Sequence, residues 1–105
     1  MATAYIREYG DIAVTYAKYL QAGAEPGTAD QTITTSGTSA ASAAFNANTK
    51  LIAISTPAAQ AVACLFSQTP GATPTATVTN MRLPSNSIIF FGVRPADKVA
   101  LIDVT

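Results

Sequence analysis

With 105 residues the chain has the size of one domain built on one core. Six basic residues balance six acidic ones and there is no histidine, so nothing marks the chain for nucleic acid or an anionic membrane surface. Only 11% of residues are charged, against roughly 25% in an ordinary soluble domain, while 49% are hydrophobic, which separates the chain from disordered compositions and suits a surface that packs against something.

In chain order, "TAYIREY" (3–9) and "DIAVTYAKYL" (12–20 after Asp11) are rich in β-branched and aromatic residues, with Gly10-Asp11 as turn chemistry between them. The pattern predicts a hairpin or a pair of edge strands. A helix over 12–20 competes, because Ile12, Tyr16, Tyr19 and Leu20 also fit a 3.6-residue face. Residues 21–30, with Gly23, Pro26 and Gly27, read as a linker, which makes residues 1–28 an N-terminal arm and 29–105 the body of the domain.

"QTITTS" (31–36) reads as a strand. "TSAASAAF" (38–45) reads as a small-residue strand or one turn of helix, followed by a turn at Asn46-Ala47-Asn48. "KLIAIST" (50–56) is a strand with both faces apolar, ended by Pro57. "AVACLFS" (61–67) is a further strand with Val62, Cys64 and Phe66 on one face, although its alanines leave a helix open.

Residues 68–86 carry three prolines and many threonines and predict an extended loop with a short strand near Thr77 to Met81. "SIIFFGV" and "KVALIDV" flank Arg94-Pro95-Ala96-Asp97 and read as a terminal hairpin. Strands every eight to twelve residues with turn signals between them predict an all-β fold: an antiparallel β-sandwich or a small jelly-roll-like barrel with little helix.

Catalytic chemistry finds little footing. Without histidine the usual base for a serine nucleophile is missing, and nothing singles out a serine for pairing with Lys18, Lys50 or Lys98. Asp11 and Asp97 sit in turn sequences, where aspartate bonds its own backbone rather than serving as an acid or base. The glycines are scattered singly, no clustered acidic calcium loop is present, and Cys64 is the only cysteine, expected as a buried thiol. The expectation is a protein that is not an enzyme and needs no metal or cofactor. No segment reaches the roughly 18 apolar residues of a membrane span, and Arg7, Glu8 and Asp11 stand where a signal peptide would need an apolar core. Synthesis in a reducing cytoplasm is expected.

The segments "QTITTSGTSAASAAFNANTKLIAIST" and "ACLFSQTPGATPTATVTNMRLPSNSIIFFGVRPADKVALI" resemble a family of short proteins that tailed bacteriophages and prophages encode beside their capsid genes. The likeness runs over residues 29–105, through Gln31 to Ile33, Ser36 to Thr49, Leu51 to Ile54, Pro74 to Thr77, Met81 to Pro84, Phe91 to Val93 and Asp97 to Ile102. It implies a small β-sandwich virion component, a cement or decoration protein on the capsid surface. The implied partners are the major capsid protein and further copies of the chain, as a dimer or trimer. The alternative is a tail-fibre or spike module that binds a host receptor or glycan, with the tyrosines as its platform.

The run Ile88-Ile89-Phe90-Phe91 is the strongest pointer to a contact, since consecutive large apolar residues on a strand leave neither face for water. Alternation with Phe91 and Val93 turned to the core leaves Ile88 and Phe90 facing a sister subunit or the shell. Tyr5 and Tyr9 in the arm, and Met81 and Arg82 at the end of the Pro/Thr loop, complete the expected interface.

Overall fold

A computed structural model describes residues 2–15, 18–23 and 25–104; from 12 to 22 the description is of the backbone alone. The described residues form ten strands: β1 (Ala2–Tyr9), β2 (Ile12–Thr15), β3 (Lys18–Gly23), β4 (Ala29–Thr35), β5 (Ala40–Ala41), β6 (Leu51–Ser55), β7 (Val62–Phe66), β8 (Met81–Leu83), β9 (Ile88–Gly92) and β10 (Val99–Asp103). Eight of them make two four-stranded antiparallel sheets, in the orders β4-β1-β6-β9 and β5-β10-β7-β8, and β2 and β3 pair with each other. The fold is all-β, as the spacing of turn signals predicts.

Between the two sheets lies the core. Period-2 alternation sends Ala4 and Ile6 of β1, Ile33 of β4, and Ile52 and Ile54 of β6 inward from the first sheet. Val62 and Cys64 of β7, Leu83 of β8, and Val99 and Leu101 of β10 meet them from the second. Ile89, Phe91 and Val93 turn toward this core, and the Phe91 ring stands 5.0 Å from that of Phe66. Cys64 is buried there as expected, and burial pushes its thiol up to about 11.

Two local expectations fail for a shared reason. Residues 2–9 do not form an arm or a hairpin with the next segment: β1 is an inner strand, paired along its length with β4 and over Tyr5 to Tyr9 with β6. Likewise β9 and β10 do not pair. β9 bonds to β6 in the first sheet and β10 to β5 and β7 in the second. The turn at Arg94 to Asp97 is thus an arch between layers. It is held by Ala96 N–H to Phe45 O, Phe45 N–H to Asp97 O and Arg94 Nε to the Asp97 carboxylate at 2.6 Å. Turn residues set the local reversal, but the strand a segment pairs with is decided by apolar surface far away in sequence.

Smaller differences follow. Segment 12–20 is extended rather than helical where it is described; Tyr16 lies outside the described residues, and so does the Tyr19 side chain. Within 38–45 only Ala40–Ala41 form a strand, and the short strand of the Pro/Thr loop begins at Met81 rather than ending there. The turn at Asn46 is closed by its own side chain, which accepts from Asn48 N–H at 2.9 Å.

The sandwich is closed along one side. Asp103 N–H donates to Ser36 O at 2.8 Å, and the Gln31 amide both accepts from Ala43 N–H at 2.9 Å and donates to Ala43 O. Glu8, buried beside Gln31, accepts from Asn46 N–H and Thr49 Oγ1, both at 2.7 Å, and from the Gln31 amide at 3.2 Å. A buried carboxylate so supplied has hydrogen bonds for both oxygens without a cation. It fastens the 42–49 segment to β1.

Candidate functional site

Register places the outward side chains of the first sheet in rows. Thr32, Tyr5, Ser55 and Ile88 form one row across four strands, and Asp30, Arg7, Ala53 and Phe90 the next. Tyr9, Leu51 and Gly92 begin a third. Residues from the first two rows, with Tyr9 and Gln31, line an open groove of about 610 Å³. Its rim is apolar and exposed: Tyr5 is 59% and Ile88 66% accessible. Its floor is a small second core in which Phe90 packs on Tyr9, Leu51 and Ala53, with the Tyr9 and Phe90 ring centroids 6.2 Å apart.

One wall carries the charge. Arg7 is held by Glu25 through Nε at 3.2 Å and Nη2 at 2.6 Å, and by Asp30 through Nη1 at 3.0 and 2.9 Å. Tyr9 donates its hydroxyl to Glu25 at 3.0 Å, and the guanidinium lies 5.8 Å from the centre of the Tyr9 ring. Hydrogen bonds from Arg7 and then from Tyr9 hold the Glu25 carboxyl below its usual range, and the two carboxylates hold Arg7 above its own. Burial, followed by the bond to Glu25, pushes the Tyr9 hydroxyl up. Arg7 has both faces of its fork occupied, so it shapes the wall instead of offering a free cation.

Gly23 explains how the groove is bounded. A Cβ at Gly23 would overlap the Tyr9 ring, so only glycine lets β3 cross there. Gly27 is equally tight, with a Cβ 2.8 Å from Glu8 O and 3.0 Å from Arg7 Nε. Gly23 and Gly27 thus lie close against β1, while Tyr5 and Ile88 at the other end of the face stay exposed.

The six residues expected at an interface therefore separate into three groups. Tyr5, Ile88 and Phe90 share the outer face of the first sheet. Tyr9 belongs to the same face but is only 7% exposed, beneath Gly23 and tied to Glu25. Met81 and Arg82 are exposed on β8, an edge strand of the other sheet. Met81 stands opposite Cys64 and shares the inward side of β8 with Leu83, whereas Arg82 faces outward beside Ala63. The wall formed by Arg7, Glu25 and Asp30 was not legible beforehand, because Glu25 lies 18 residues from Arg7 in a stretch that reads as linker.

The opposite outer face is already occupied. Ala63, Ala100, Ile102 and Val104 of the second sheet pack under Ala76, and Pro74 is buried beside it. The loop is pinned by Ala76 N–H to Ser39 Oγ at 2.8 Å, Gly71 N–H to Asp97 at 2.8 Å and Ser67 Oγ to Ala72 O at 2.5 Å. The middle of the 68–86 loop thus lies on its own sheet. Among the described residues no group of three or more His, Cys, Asp or Glu is placed to hold a metal ion. Compared with family models, curated proteins and solved structures, the chain matches none of them.

Proposed function

We propose that the chain is a structural protein of a tailed-phage particle, bound to the capsid surface as cement or decoration through the outer face of its first sheet. The observation that carries this reading is the asymmetry of the two outer faces. One is sealed by the chain's own loop, and the other presents Tyr5 and Ile88 at 59% and 66% exposure beside half-buried Phe90. Large aromatic and aliphatic side chains in one exposed patch mark contact surfaces. The low charge agrees with a contact that relies on buried area, and the likeness of residues 29–105 to proteins encoded beside capsid genes supplies the partner, the major capsid protein.

The groove favours a second reading, a receptor- or glycan-binding module of a tail fibre or spike. Its lining sets Tyr5 with Asp30 and Thr32, and an aromatic plane with polar neighbours is what a sugar ring needs.

Copy number separates the two. Quantitative mass spectrometry of purified particles should find hundreds of copies per virion for cement and a few dozen or fewer for a fibre; none would sink both. In the cement case, Tyr5→Ser with Ile88→Ser abolishes sedimentation with shells while the isolated variant stays folded. Retained binding would place the contact elsewhere.

A further inference from the structure

Four strands end the two sheets, and three are guarded against pairing with another chain. β4 is joined to the second sheet through Ser36 and to residue 43 through Gln31. β5 has two residues, and β8 has three, with Arg82 inside it and Pro84 directly after. β9 differs from all of them. It runs Ile-Ile-Phe-Phe-Gly in unbroken register with β6, without charge, proline or bulge, the devices that usually protect a sheet edge.

The hydrogen-bond phase of β9 is fixed by its partner. Val93 N–H donates to Lys50 O at 3.0 Å and Thr56 N–H to Ser87 O at 2.8 Å, so residues 87, 89, 91 and 93 turn their backbone polar groups toward β6. Ile88, Phe90 and Gly92 therefore point N–H and C=O outward, and none of these groups has a hydrogen-bond partner among the described residues.

We propose that β9 pairs with β9 of a second copy, antiparallel about a two-fold axis at Phe90, joining the first sheets of two chains into one continuous sheet. Three outward positions spaced by two residues are self-complementary in this register: Phe90 opposes Phe90, and Ile88 opposes Gly92. About six inter-chain hydrogen bonds result, two per facing pair. A shift by two residues leaves one of the three positions unpaired. The side chains agree with the same register. Ile88, 66% exposed, lies over a residue without a side chain, and Gly92 is itself exposed, with Lys50 O at 4.0 Å the one atom of the described residues within reach of a Cβ built there. The two Phe90 rings meet as a cross-strand aromatic pair. The proposal is independent of the capsid reading, because it needs no other protein.

Sedimentation of the isolated full chain should give twice 10.8 kDa at micromolar concentration. Ile88→Pro, which removes an outward donor and no bond to β6, should return it to the single-chain mass. The register is tested by cross-linking. Ile88→Cys chains mixed with Gly92→Cys chains should form a disulfide-linked dimer under mild oxidation, and neither variant alone should do so. In this register two copies of residue 88 stand roughly 14 Å apart, well beyond disulfide reach. Cys64, buried with a raised pKa, does not compete. A single-chain mass at every concentration overturns the proposal. So does self-cross-linking of Ile88→Cys as fast as the mixture.

Discussion

The two outer faces of the sandwich receive the same excess of apolar strand residues and resolve it differently. On the second sheet the residues are small: Ala63 and Ala100 beside Ile102, roofed by Ala76. Alanines let a loop backbone approach closely, and three side-chain or turn contacts at Ser39, Ser67 and Asp97 hold it down. On the first sheet Arg7 and Tyr9 stand tall, and glycine is needed where the chain passes them, Gly23 over the Tyr9 ring and Gly27 beside Arg7. Coverage there stops at the Tyr9 end. One molecule thus shows both ways to treat a two-sided apolar strand, an intramolecular roof or a surface left for contact.

The largest expected effect compares the roofs. Ile102→Ala, on the covered face at 9% exposure, should cost about 2–4 kcal/mol in denaturant unfolding. Tyr5→Ala, at 59% exposure on the open face, should stay within about 0.5 kcal/mol. Equal costs would mean that both faces are internal and would remove the reason for a docking surface.

Next in size is the contrast along β1 itself, where adjacent Arg7 and Glu8 face opposite ways. Glu8→Gln replaces one acceptor oxygen with an amide donor aimed at groups that already donate, Asn46 N–H and Thr49 Oγ1 or the Gln31 amide. A loss of about 1–3 kcal/mol follows from one unsatisfied buried group. Hydrogen exchange at the Asn46 amide should quicken more than the global loss explains, since that amide is bonded to the substituted group. Uniform exchange would deny Glu8 its local role.

How much of this was legible in the sequence depends on whether the signal is local. Alternation separates Phe91 and Val93 from Ile88 and Phe90 and sets Val62, Cys64 and Phe66 on one face, as the structure has them, because side-chain direction in a strand is set residue by residue; which of the two faces turns inward is not given by alternation. Doubly apolar 51–54 reads as a buried strand and is one. Partner choice was not legible. β9 and β10 carry hairpin chemistry and lie in different sheets, and 2–9 reads as an arm but is an inner strand. Nothing within four residues of the Arg94 turn records that β6 and β7 are the better neighbours. The same limit hid the Arg7 wall, whose members meet only after residues 25–30 fold back on β1.

The smallest effect separates two carboxylates by what holds each of them. Hydrogen bonds from Arg7 lower Glu25 on the open face; Gly71 N–H and then Arg94 lower Asp97 at the arch. A carboxyl whose folded pKa lies below its unfolded value contributes stability that is present above the unfolded pKa, about 4, and lost as pH falls through the folded pKa. The chain should therefore weaken on acidification below about pH 4, and Glu25→Gln and Asp97→Asn should each flatten the decline. Salt then tells the two apart. Glu25 is bound chiefly by an exposed ion pair, 40% and 58% accessible at its two ends, and added salt screens such pairs. Asp97 is buried and its main partner is a backbone amide, which salt leaves in place. At high ionic strength the share removed by Glu25→Gln should shrink while that removed by Asp97→Asn persists. A common response would mean that the arch and the open face are stabilised by the same long-range field, and the distinction between a fixed junction and an adaptable surface would fail.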